Sequence, residues 1–130
     1  RSEKIHSLLK DGISEAKLHG GEISKIVNRM NLLFGDSKDI LPRIGPEVIL
    51  IDTMYKERKK TALVKNNMRL VREVVGSDPD YVDLINVALN CATKRVVIKQ
   101  PRYANQLEDI KACSHQILGK TIRYDVYVTI

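Results

Sequence analysis

Three short polar clusters in this sequence each follow an apolar run, and their residue types could do chemistry. They are Gly35-Asp36-Ser37 after Asn31–Phe34, Asp52-Thr53-Met54-Tyr55 after Val48–Ile51, and Lys99-Gln100-Pro101 at the end of the run that begins at Arg95. In open α/β sheets, ligands bind at the carboxyl ends of strands, so all three are candidate site segments. Each alone is a weak signal. Asp36 also fits an ordinary turn after a strand, Asp52 a cap, and Tyr55 a loop anchor. Asp52 carries more weight because an aromatic residue, Tyr55, follows it three positions later in a cationic loop.

Other chemistries find less support. His6, His19 and His115 are scattered, with no pair at metal-ligand spacing. Cys91 and Cys113 lie far apart, so neither a zinc site nor a disulfide framework is expected, and a reducing cytoplasm is the default. There is no G-x-S-x-G elbow, no G-x-G-x-x-G and no Walker A loop. Nothing in the sequence can cradle a cofactor carboxylate or a phosphate on its own. No apolar run approaches the roughly 18 to 20 residues of a membrane span. The start, Arg1-Ser2-Glu3-Lys4, has neither a signal-peptide core nor an initiator Met, and reads as a piece of a larger domain.

The charge is localised. The chain holds 22 basic and 16 acidic residues, a net charge of +6. Seven of the bases (Lys56, Arg58, Lys59, Lys60, Lys65, Arg69, Arg72) and one acid (Glu57) lie between positions 56 and 72, so this segment alone carries the net charge. A neutral body with one cationic patch suits a polyanion; a solvated lysine-rich loop is the plainer alternative.

These residues need elements to position them. An apolar stripe at Ile5, Leu8, Leu9, Ile13 and Ala16 predicts a helix over 2–18, with Ser2 as cap and Gly20-Gly21 as its end. A shorter helix is expected over Glu22–Arg29, a strand over Asn31–Phe34, and a helical turn over Lys38–Leu41 broken at Pro42. Val48–Ile51 reads as a strand buried on both faces. Residues 53–61 read as a loop. Residues 62–75 read as a helix with Val64, Met68, Val71 and Val75 inward and Lys65, Arg69 and Arg72 on another face. Asp78-Pro79 should start a further helix, with Val82, Ile85, Leu89 and Ala92 inward. Arg95–Lys99 reads as a strand, and His115–Leu118 and Ile122–Thr129 as a hairpin around Gly119-Lys120. The expected fold is α/β, one domain over 1–130, with a mostly parallel sheet ending in a C-terminal antiparallel hairpin. That is the architecture of Rossmann-like methyltransferases.

Three blocks carry a more specific likeness. Asp52-Thr-Met-Tyr-Lys-Glu-Arg-Lys-Lys-Thr-Ala-Leu-Val-Lys-Asn-Asn-Met-Arg69 resembles a signature of the ribosomal RNA small subunit methyltransferase J family. Members typically carry Asp-Pro-Met-Phe-Pro and then Lys-Ser-Ala-Leu-Val-Lys-Lys-Glu-Met-Arg. Thr93-Lys-Arg-Val-Val-Ile-Lys-Gln-Pro-Arg-Tyr-Ala104 and Arg123-Tyr-Asp-Val-Tyr127 resemble later blocks of the family, in its order. The chain departs from the pattern at Thr53 and Lys56, where the family has prolines, and at Gln100, where it has a basic residue.

The resemblance is to the C-terminal portion of the family, without its first strand and glycine-rich loop. It implies S-adenosylmethionine as cofactor and methylation of a guanine exocyclic amine, N2, in 16S ribosomal RNA of the small ribosomal subunit. No metal and no membrane are implied. It assigns Asp52, the Thr53 carbonyl and Tyr55 to the target base, and Asp36, Ser37 and Asp52 to the cofactor. Lys59, Lys60, Lys65, Arg69, Arg72 and Lys99 fall to the RNA. The piece alone is expected to be inactive. Two other readings stay open: a non-catalytic RNA-binding fragment, and a Rossmann methyltransferase acting on another base or on DNA.

Overall fold

In the computed structural model, residues 2–52, 80–107 and 109–129 are described. They fall into two compact units, Arg1–Asp36 and Ser37–Ile130.

The first unit is helical. Helix α1 spans Glu3–Leu18, and the hydroxyl of Ser2 caps it by accepting from the Ile5 amide at 3.4 Å. It ends at Gly20 and Gly21, whose φ values of 70° and 62° are left-handed and suit glycine. Helix α2 follows over Gly21–Val27. No residue of either helix is fully buried. Asn31–Phe34, expected as a strand, is not one. A strand exists only through ladder bonds to a neighbour, and no described strand pairs with this segment. Phe34 instead meets His6 of α1, with ring centroids 5.0 Å apart.

The second unit contains the sheet. Helix α3 spans Ser37–Ile44 and runs through Pro42 rather than breaking there. Proline's φ is compatible with a helix and costs it one i→i−4 bond. The helix is only eight residues long and closes with the Gly45 amide on the Leu41 carbonyl at 3.1 Å. Strand β1 is Val48–Ile51, helix α4 is Tyr81–Cys91, and β2 is Arg95–Pro101, two residues longer than expected. Strands β3 (His115–Leu118) and β4 (Ile122–Val128) form the expected hairpin. Its turn is tight: a Cβ on Gly119 would meet the Ile122 carbonyl oxygen at 3.0 Å.

The sheet order is β1-β2-β4-β3. β1 and β2 are parallel, with Ile51 opposite Ile98, and β4 is antiparallel to both β2 and β3. Among the described strands three therefore point one way, and β4 is reversed.

One face of this sheet holds the core. Ile49, Ile51, Val96, Ile98 and Tyr127 pack with Ile85, Ala88 and Ala92, and Leu41 of α3 joins them. β1 is not buried on both faces: Val48 and Leu50, between the buried Ile49 and Ile51, are 49% and 63% exposed. The connection from β2 to β3 covers the core face beyond α4 with Leu107, Ile110 and Cys113.

Candidate functional site

The parallel run of β1 and β2 puts their carboxyl ends at one rim of the sheet. Asp52 leaves β1 there, and Lys99 lies on β2 one position beyond the Ile51–Ile98 pair. The two side chains meet across the strands, Lys99 Nζ donating to Asp52 Oδ2 at 2.9 Å. Both are partly solvated, at 36% and 59% exposure, so the pair contributes little to stability and chiefly orients the carboxylate. The Asp52 hydrogen bond, then its negative charge, holds the Lys99 ammonium above its ordinary pKa. A matching pair, Lys94 to Glu47 at 2.9 Å, bridges the same strands at their amino ends.

Two helix starts reach the same level of the fold. β2 follows α4 after a three-residue link, so α4 runs back against β2 and begins at the carboxyl rim. Asp80, the residue before α4, does not cap it; its carboxylate accepts from Lys38 in the first turn of α3. The amino ends of α3 and α4 are thereby tied together. Ser37 opens α3, and Asp36 immediately precedes it in the chain.

A third part of the rim comes from the exit of β2. The Ala104 amide donates to the Pro101 carbonyl at 3.0 Å, making a turn. The Arg102 amide donates to Thr121 of the hairpin at 3.0 Å, and its guanidinium donates to the Gly119 carbonyl. Beneath this turn is a buried ion pair. Arg123 Nε and Nη2 donate to Asp125 Oδ1 and Oδ2 at 2.9 and 3.2 Å. Arg123 Nη1 reaches the carbonyls of Arg102 and Ala104 at 3.2 and 2.6 Å, and Gln116 donates to Asp125 at 2.7 Å. Gln100 is 2% exposed on the core face, and its Nε2 has no hydrogen-bond partner among the described residues.

The fold thus joins Asp52 and Lys99, two of the residues singled out from the sequence, so that Lys99, a candidate phosphate ligand, is also the partner of the candidate carboxylate. Thr53, Tyr55, Lys59, Lys60, Lys65, Arg69 and Arg72 lie outside the described residues. Arg102, Tyr103 and the Arg123–Asp125 pair were not singled out. The usable signal was the i, i+2 spacing of Arg123 and Asp125, which puts both side chains on one face of a strand. Among the described residues no group of three or more His, Cys, Asp or Glu could hold a metal ion. None of the described helices is long and apolar enough to cross a membrane.

Comparison with known proteins identifies the family. A family model described as "Putative SAM-dependent methyltransferase" matches residues 1–129. The chain is 52% identical over 128 residues to ribosomal RNA small subunit methyltransferase J of Agrobacterium fabrum, covering 98% of this chain and 62% of that protein. It is 49% identical to the protein of that name from Brucella anthropi, with the same coverage. The crystal structure of the SAM-dependent methyltransferase NGO1261 from Neisseria gonorrhoeae superposes with a TM-score of 0.71 at 32% identity. That match covers 95% of this chain and 48% of the other. The chain therefore spans about half to three-fifths of the proteins it matches, and its sheet is part of a Rossmann-like fold. On the match to residues 1–129, the chain belongs to this family of SAM-dependent methyltransferases.

Proposed function

We propose that this chain forms part of one methyltransferase domain that uses S-adenosylmethionine to methylate a guanine exocyclic amine, N2, in 16S ribosomal RNA. The substrate is the RNA alone or within the small ribosomal subunit, and the setting is the bacterial cytoplasm. The observation that carries the reading is the Asp52 carboxylate, set at the carboxyl end of β1 and oriented by Lys99 at 2.9 Å. The relatives' names point to the same RNA.

When bound, S-adenosylmethionine supplies a sulfonium-borne methyl group open to in-line displacement. On the family resemblance Asp36 would accept from its adenine amine, and Ser37 and Asp52 would be further cofactor-binding residues. The guanine amine is a poor nucleophile because its lone pair is delocalised into the ring. Asp52 accepts one N–H through Oδ1, the oxygen not bonded to Lys99, and the Thr53 carbonyl accepts the other. Together they favour a more pyramidal nitrogen and align it, which is catalysis by positioning and electrostatics. Tyr55 stacks on the extruded base. Lys59, Lys60, Lys65, Arg69 and Arg72 hold phosphates and fix register without reading sequence. Residues 1–130 alone bind cofactor weakly and do not turn over, since no glycine-rich loop is among them.

The test is Asp52→Ala in the full-length protein. Methyl incorporation into small-subunit RNA should fall about 100-fold or more, the scale for losing one positioning group. Melting temperature should hardly move, since Asp52 is 59% exposed. Mass mapping of the modified nucleotide checks guanine N2. Wild-type turnover by the variant would make Asp52 structural and remove the reading.

A further inference from the structure

The exit of β2 carries an exposed aromatic ring on a fixed backbone. Tyr103 is 80% exposed in a chain with five Tyr, one Phe and no Trp. Side chains this exposed usually sit on backbone that few contacts restrain. Here the reverse holds. The carbonyls of both neighbours, Arg102 and Ala104, accept from Arg123 at 3.2 and 2.6 Å. Arg123 is 6% exposed and fixed by two bonds to Asp125, itself 3% exposed and held by Gln116. The Arg102 and Ala104 amides are also bonded, to Thr121 and Pro101. A buried ion pair therefore fixes a turn whose tip projects a ring into solvent.

The place and the charge are informative as well. Pro101, two strand residues past Lys99, starts the turn. That is about 6 to 7 Å along the strand from the residue paired with Asp52. The Arg102 guanidinium carbon lies 5.8 Å from the centre of the Tyr103 ring while its Nη1 is anchored on Gly119. Lys120 is exposed in the same hairpin turn. An exposed ring, a cation against it and a further lysine suit a ligand that is both aromatic and anionic. A nucleotide of a single strand has both properties.

We propose that Tyr103, with Arg102, is a preformed stacking platform for a nucleobase of the single-stranded RNA that flanks the methylated base. This rests on the RNA reading above and extends it with a contact outside the methyl-transfer residues. The Arg123–Asp125 pair positions the platform and does not touch the RNA. Preorganisation is the physical gain, since a ring already held in place loses little freedom on binding.

The experiment uses the full-length protein with Tyr103→Ala and Tyr103→Phe. Affinity is measured for a protein-free small-subunit RNA substrate, together with cofactor affinity and melting temperature. Tyr103→Ala should weaken RNA binding by roughly 5- to 150-fold, the range for losing one base–aromatic stack. Tyr103→Phe should stay within about twofold of wild type, because the ring does the stacking. The salt dependence of binding should keep its slope, since no phosphate contact is lost. Cofactor affinity and melting temperature should not change. Wild-type RNA affinity in Tyr103→Ala overturns the proposal, and if Asp52→Ala still abolishes methylation the RNA reading survives it. Loss of folding in Tyr103→Ala also overturns it, by making the ring structural. Reduced methylation of the small subunit with unchanged affinity for naked RNA assigns the ring to a protein contact and overturns the RNA platform. A wild-type protein with no affinity for the RNA overturns the reading and the platform together.

Discussion

Asp125→Ala should be the most damaging single change at the hairpin, and the structure says why. Asp125 is 3% exposed and accepts three hydrogen bonds, two from Arg123 and one from Gln116. Its removal leaves the Arg123 guanidinium, 6% exposed, without a counter-charge among the described residues. Breaking a buried pair from one side costs about 3–5 kcal/mol, chiefly from the charge left behind. The pair's own net worth is much smaller, so the double variant Arg123→Met/Asp125→Ala should lose less than the sum of Arg123→Met and Asp125→Ala. What it still loses is the Arg123 bonds to the Arg102 and Ala104 carbonyls, at about 1.5–3 kcal/mol for each bond to a charged donor and less where water replaces it. Denaturant unfolding followed by far-UV circular dichroism gives all the values, with Arg123→Met completing the cycle. The midpoint should fall in Asp125→Ala without a change in slope, because the exposed surface is the same. A loss below about 1 kcal/mol for Asp125→Ala, or a double variant as unstable as the sum of the singles, would refute the claim that the pair fixes this turn.

The basic segment gives a second test: Lys65→Glu with Arg69→Glu should weaken RNA binding and lower the log–log salt slope by about 0.7–0.9 per lost contact, whereas a solubility patch leaves the slope alone. Gln100→Leu should leave the denaturation midpoint unchanged or raise it, because it removes a buried amide nitrogen that has no partner among the described residues; a loss above about 1 kcal/mol would point to a bond made elsewhere. The Asp52–Lys99 pair should persist from neutral pH to beyond 10.5, because the raised Lys99 pKa makes its small contribution complete below the unfolded value and lost only as pH climbs through the folded one. NMR titration of the Lys99 side chain checks this, and a midpoint below 10.5 would contradict it.

Much of the second unit was legible because its strands are short β-branched runs between clear breakers. Val48–Ile51, Arg95–Lys99 and the hairpin around Gly119 needed only periodicity and turn chemistry. Asn31–Phe34 has the same local character, but a strand is a property of two segments, and no described strand adjoins this one. Pro42 predicts a stop because a missing N–H and a ring clash usually end a helix; in so short a helix only one bond is at stake. The site was less legible for a related reason. Asp52 and Lys99 are 47 positions apart, and their contact exists only once the β1–β2 register is set. Tyr103 is locally unremarked, because what sets it apart is the pinning of its neighbours by Arg123 from another strand.

The outer edge of β1 bears on how this chain behaves in concentrated solution. Among the described strands β1 ends the sheet, with no other pairing on that side. Its sequence is Val-Ile-Leu-Ile, uncharged and strongly disposed to pair, with two of its four side chains exposed. A bare apolar edge is a template on which a second chain can add a strand. Two features limit the danger: the run is only four residues long, and the Glu47–Lys94 and Lys99–Asp52 pairs place charges at both its ends. Charges flanking an apolar strand act as gatekeepers against sheet extension. Neutralising all four of these charges together would therefore trade a small loss of fold stability for a rise in self-association.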